Sequence, residues 1–196
     1  MNDNNISKKG IRIFLLPMIL IALLTALDQF TKYMIQTSFE LYESKEVIDG
    51  VLSFTYVQNR GMAWGMFQGK IPVFAIFTAV ILILAFRVLY NVVDEKRYCF
   101  VKYVIIFLIS GGLGNLIDRL TLGYVVDFIH ATIIDFPVFN VADIYVTVSM
   151  FAMMIALFVY KNDDLDKIIK LSFKDKKNNG IETDKEADIV EEGIDE

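Results

Sequence analysis

The chain has 196 residues, 55% of them hydrophobic, with a mean hydropathy of +0.49 and a formal net charge of −5. The apolar residues fall in long blocks, a membrane-protein composition that overrides the expectation of one soluble core. The charge sits at the end: residues 162–196 hold twelve acidic and six basic residues. What precedes is nearly neutral and offers no field for nucleic acid or a charged soluble partner.

The first apolar run covers residues 11–30. Lys8, Lys9 and Arg12 precede it as in a secretory signal, but residues 13–27 contain no small-residue cleavage site, so it reads as a retained first helix. No Leu-x-(Gly/Ala)-Cys acceptor occurs there, which argues against the chain being a lipoprotein itself. Pro17 fits a local kink. Asp28 and Lys32, four apart in DQFTK, share a helical face at the outer end of this run. They read either as an ion pair closing the span or as groups that position substrate or active-site backbone.

Residues 36–70 are too many for a simple turn. EVIDGVLSFTYVQN at 46–59 is rich in β-branched and aromatic residues with partial alternation, which predicts short strands against the outer membrane boundary. In the NRGMAWGMF that follows, the glycines suit a turn or a close backbone approach, and Trp64 suits an interfacial depth.

Three more runs, at residues 73–93, 98–117 and 141–160, are each long enough to cross a bilayer as a helix. Gly111, Gly112 and Gly114 predict close helix packing in the third. With four spans, the basic residues before the first, between the second and third, and after the fourth all fall on one side. The positive-inside rule makes that side, and both termini, cytoplasmic. Residues 165–173 could form a short amphipathic turn on the inner leaflet. Beyond about 176 the charged tail predicts disorder rather than a domain. The expected organisation is a membrane domain at 1–161 and a tail at 162–196.

Between the third and fourth spans, residues 114–143 hold four aspartates, two asparagines and an arginine beside hydrocarbon, where carboxylates are costly and mark function. Asn115 reaches both Asp118 and Arg119 on one helical face, although a satisfied helix end with Arg119 snorkelling to lipid phosphate would look the same. Asp127 lies in the apolar loop sequence YVVDFIH. Asp143 follows Pro137 in FNVAD, where Asn140 or its neighbours could start the fourth helix and share a face with it. Asp135 reads as a solvated loop residue and is left out.

Two such carboxylates brought together in a poorly hydrated place would share a proton near neutral pH. One could then draw a proton from water while the other polarises a carbonyl. No metal or cofactor is expected. The lone Cys99 and lone His130 give little for a zinc site or a His-based triad, and Ser110 and Ser149 lack an evident base.

DQFTK at 28–32, NRGMAWG at 59–65, GNLIDR at 114–119, VVDFI at 125–129 and FNVAD at 139–143 together resemble the ordered motifs of the bacterial lipoprotein signal peptidases, or signal peptidase II, over about residues 11–160. Met62 and Trp64 stand where that family usually carries alanine and phenylalanine; both replacements stay apolar. The resemblance implies an all-α membrane protein of four transmembrane helices with a small extracytoplasmic β-structure in the first outer loop. It implies an aspartic endopeptidase of the bacterial cytoplasmic membrane that cuts diacylglyceryl-modified prolipoproteins before the lipidated cysteine. Asp127 and Asp143 match its catalytic aspartates. Asp28, Asn59, Gly61, Asn115, Asp118, Arg119 and Asn140 match residues that shape the site or hold substrate, and Lys32 goes with Asp28. Membrane lipid is the expected surroundings, with no nucleic acid, and the expected state is a monomer.

Two other classes fit the residues less well. A transporter or proton channel would need charges across the whole bilayer, whereas these cluster at the outer span ends. A non-catalytic membrane subunit could bind lipidated proteins in the same groove without turnover.

Overall fold

The computed structural model describes residues 3–61, 71–134, 136–160 and 168, with side chains from residue 14 onward. Met62, Trp64, Asp135 and, apart from residue 168, the amphipathic turn and the acidic tail therefore lie outside the described residues. Four helices carry the fold: α1 (Asp3–Ser38), α2 (Ile71–Val92), α3 (Cys99–Thr121) and α4 (Val141–Val159). Three strands, β1 (Ser44–Ile48), β2 (Leu52–Asn59) and β3 (Val125–His130), form one antiparallel sheet in the order β1-β2-β3.

The four candidate spans are Phe14–Ser38, Ile71–Val92, Lys96–Thr121 and Val141–Val159. At about 1.5 Å per residue, even the shortest approaches the roughly 30 Å of hydrocarbon. Half of the α3 window is buried, against about a fifth of the other three, because α3 packs against α1, α2 and α4 at once. The outward faces of those three keep Leu23, Phe77, Ile83 and Phe151 exposed. A belt this apolar is costly in water and cost-free against lipid. The first helix continues eight residues past the sequence expectation, to Ser38, so Asp28 and Lys32 stand inside it rather than at its end.

Glycines set how closely the helices approach. A Cβ on Gly111 would run into the Ala142 carbonyl oxygen and come 2.8 Å from Val146 Cγ2, both on α4. One on Gly112 would meet the tip of Leu82 on α2 at 2.9 Å, a flexible end that can move. We therefore expect Gly111→Ala to destabilise the protein by about 1–3 kcal/mol or more, and Gly112→Ala by clearly less, since overpacking costs most against backbone. Thermal unfolding in detergent checks the order, and equal losses would contradict it.

Strands at 46–59 are present as the β-rich pattern predicts, but the sheet is larger than one loop. Its third strand is VVDFIH, so Asp127 sits on β3 rather than in an irregular loop. The alternation rule misses this strand because its first four residues are all buried, with Val126 and Phe128 packing on Ile35 and Tyr56. Gly123, at φ +74°, makes the sharp turn from α3 into it, a conformation that disfavours side chains with a Cβ. Phe139 then bridges back to Ile129 beside β3, carrying the chain into α4.

Candidate active site

All ten residues singled out in the sequence meet in one hydrogen-bonded group between the sheet and the ends of α1, α3 and α4. Its rear is built around Lys32, which is 2% exposed. Lys32 Nζ lies 2.9 Å from Asp28 Oδ2 and 3.0 Å from Asp118 Oδ2, and donates to Asn115 Oδ1 at 3.0 Å. The spacing of four thus does form an ion pair, but a fully buried one shared with a second helix. Such a pair is held by further hydrogen bonds or not at all. Asp118 accepts from the Val126 amide at 3.0 Å, which fastens β3 to α3.

Asp28 has a second task. Its Oδ1 accepts from the Ala142 amide at 2.8 Å, one of the donors that the first turn of α4 leaves without a partner in its own helix. Asn140 is the N-cap of that helix. It forms a reciprocal capping box with Asp143: the Asp143 amide donates to Asn140 Oδ1 at 2.9 Å, and the Asn140 amide to Asp143 Oδ2 at 3.1 Å. Asp143 sits near the positive end of the α4 dipole, where a carboxylate is favoured.

Two asparagines link the remaining acids. Asn140 Nδ2 donates to Asp127 Oδ1 at 2.7 Å and to Asn115 Oδ1 at 3.1 Å, and Asn115 Nδ2 donates to Asp143 Oδ1 at 2.7 Å. Asn59, at the end of β2, donates to Asp127 Oδ2 at 2.8 Å and accepts from the Gly61 amide at 3.0 Å. Each oxygen of both carboxylates accepts one bond, which fixes the rotamers. Burial, and then the negative charge of Asp143, push the Asp127 carboxyl up to about 7, while the amides of Asn59 and Asn140 pull it the other way.

A cavity of about 470 Å³ opens in front of this group. Of the four clustered carboxylates, Asp127 and Asp143 line it, with Asn59, Gly61 and Arg119, whereas Asp28 and Asp118 stand behind. Arg119 is not turned to lipid phosphate: it lines this cavity and donates to the Asn115 carbonyl at 3.2 Å. Much of the rest of its lining is apolar, with Phe136, Phe139, Ile144 and Val148. Among the described residues, no group of three or more His, Cys, Asp or Glu side chains is arranged to hold a metal ion.

Some neighbours carry no signal in their spacing. Gln29 Nε2 donates to Asp118 Oδ1 at 2.9 Å and to the Gly114 carbonyl at 3.1 Å. One residue along from Asp28 it lies about 100° around the helix, so spacing does not mark it. Thr147, in the cavity wall, was findable, being four residues after Asp143 on one face.

The model for the family described as signal peptidase (SPase) II matches residues 20–159. The chain belongs to the signal peptidase II family. That match spans α1 from Leu20 through the end of α4, and so includes every residue of the buried group. Membership makes the chain a peptidase of the aspartic type and a multi-pass bacterial membrane protein. The lipoprotein signal peptidase of Streptococcus pyogenes serotype M1 is 39% identical over 153 residues, covering 78% of this chain and 96% of that protein. The enzyme of that name from serotype M18 (strain MGAS8232) matches to the same extent. Two solved bacterial membrane enzymes, determined by the in meso method, share the fold of this signal peptidase II chain. One has a TM-score of 0.65 and 38% identity, covering 72% of this chain and 87% of its own. The other has a TM-score of 0.63 and 39% identity, covering 72% and 91%.

Proposed function

We propose that this peptidase removes the signal peptide from diacylglyceryl-modified prolipoproteins, cutting before the lipidated cysteine, with Asp127 and Asp143 as the catalytic pair. One observation carries the assignment: of four clustered carboxylates, only these two line the cavity, while Asp28 and Asp118 are taken up by Lys32.

Two buried carboxylates of like charge resist ionising together, so near neutral pH the pair retains one proton. The ionised member takes a proton from a water molecule, whose oxygen attacks the scissile carbonyl carbon. The protonated member donates a hydrogen bond to the carbonyl oxygen as negative charge gathers there. When the C–N bond breaks, a proton passes from the pair to the leaving amine, giving a free carboxyl on the signal peptide and a free amino group on the lipidated cysteine. Arg119 supplies a donor for a substrate carbonyl at the cavity wall. Asn59, Asn115 and Asn140 hold the two carboxylates in position, Gly61 keeps Asn59 oriented, and Asp28, Lys32 and Asp118 brace them from behind. The apolar wall of Phe136, Phe139, Ile144 and Val148 suits acyl chains and the apolar signal segment.

In this reading both termini are cytoplasmic, following the placement of Lys and Arg, and the cavity opens near the outer face. The peptidase unit is residues 1–161, working as a monomer, with the acidic 162–196 as a tail.

The test is purified protein given a diacylglyceryl-modified prolipoprotein and its unlipidated counterpart, with the products sized. Release of the signal peptide from the lipidated substrate alone is expected. No release, or equal cleavage of both, would overturn the substrate assignment. Asn59→Ala adds a sharper check. Its amide holds the Asp127 carboxyl down, so its loss should move the alkaline fall of kcat/KM upward by roughly one pH unit, the scale of a hydrogen bond to a charged group. A pH profile that shifts downward or not at all would contradict the role given to Asn59.

A further inference from the structure

A second cavity, of about 330 Å³, lies at the opposite end of the helices from the aspartates. It is bounded by the early part of α1, the connection between α2 and α3, and the start of α3. Cys99 in its lining stands sixteen residues before Asn115 on α3. That places it about 24 Å away along the helix axis, at about 1.5 Å per residue.

Its two halves differ in chemistry. Leu16, 56% exposed and on the lipid-facing side of α1, and Ile106 give an apolar floor continuous with the hydrocarbon belt. Lys96 and Lys102 give a positive rim, opposed by the single carboxylate of Asp94. The first turn of α3 carries no acidic residue to offset them. A soluble anion would leave the apolar floor unused, and a zwitterionic lipid would bring no net charge to the lysines. An anionic phospholipid satisfies both halves, with its headgroup between the lysines and an acyl chain along the floor.

We infer that this cavity is a binding site for an anionic phospholipid of the bilayer, held by Lys96 and Lys102 at the end of the protein remote from the peptidase site. The lipid clamps α1 to the start of α3 and makes the stability of the bundle depend on bilayer composition.

Cys99 reports on occupancy, because it is exposed, lines the cavity and is the only cysteine in the chain. The full chain would be placed in nanodiscs of phosphatidylcholine, with or without phosphatidylglycerol, and the alkylation of Cys99 by uncharged N-ethylmaleimide followed by mass. Phosphatidylglycerol is expected to slow alkylation roughly tenfold, on the scale of two lysines holding one headgroup. The Lys96→Gln/Lys102→Gln variant should lose most of that protection, while its alkylation in pure phosphatidylcholine should match the wild type. Equal rates in the two lipids would overturn the site for the wild-type protein without any variant. Protection surviving in the double variant would assign the effect to bilayer surface charge and also overturn it. Glycerol phosphate added to neutral nanodiscs is expected to give no protection; if it protects as well as phosphatidylglycerol, the site takes a free anion and the lipid assignment falls.

Discussion

Asp127→Asn and Asp143→Asn are each expected to lower kcat for signal-peptide release by about 10²–10⁴-fold, the range for loss of a positioned acid or base. The double variant should fall little further, because two groups that share one proton act as a unit. Single-turnover cleavage of the lipidated substrate measures this, and a single variant retaining a third of wild-type kcat would remove that aspartate from the pair. Wild-type activity should also depend on pH with a fixed sign. The Asp127 carboxyl is held up near 7, so the singly protonated pair persists to neutral pH and is lost above it. Activity should therefore fall with a slope of about one on the alkaline side. A profile still rising at pH 9 would mean that the shared proton is not required.

The largest effect on stability is expected at Lys32. Its ammonium lies between Asp28 and Asp118, which are 0% and 2% exposed, and Lys32→Met would leave both charges buried without the ammonium that pairs with them. Breaking a buried pair from one side costs about 3–5 kcal/mol. The consequence should be a large drop in thermal midpoint in detergent, along with loss of activity. Adding Asp28→Asn to Lys32→Met should recover part of the stability, since it removes one uncompensated charge and keeps an oxygen for the Ala142 amide. If the second substitution made matters worse by its full single-variant cost, the two residues would be acting independently and the ion cluster would not be the cause.

The four spans were legible because hydrocarbon thickness demands long apolar runs, and the start of α4 was legible because Asn140 and Asp143 form a cap at a fixed spacing. The four spans and a small sheet are present as the resemblance implied. The motifs led to all ten residues of the buried group, yet their arrangement was not readable from spacing. Nothing local indicates that Asp28 reaches across to the amide of residue 142, or that Asp127 lies on a strand. Both depend on contacts distant in the chain. VVDFIH shows no alternation because one side is covered by α1 and β2 and the other by the polar group itself. The spacing of Asp28 and Lys32 marks an intrahelical pair but not its worth. A surface pair is weak, and only the fold reveals that this one is enclosed.

The bond from the Ala142 amide to Asp28 joins the first of the described membrane helices to be synthesised to the last of them. Once α3 has been made, but before α4, Asp28, Lys32 and Asp118 can assemble among themselves. Neither the bonds that Asn140 donates to Asp127 and Asn115 nor Asp143 itself exists yet. The apolar cavity then has only part of its wall and one of its two lining carboxylates. A nascent chain at that stage has, under the proposed mechanism, no catalytic pair. Under the proposed mechanism the catalytic pair is complete only when α4 docks its amino end onto Asp28, so insertion of that helix is itself the step that assembles the site.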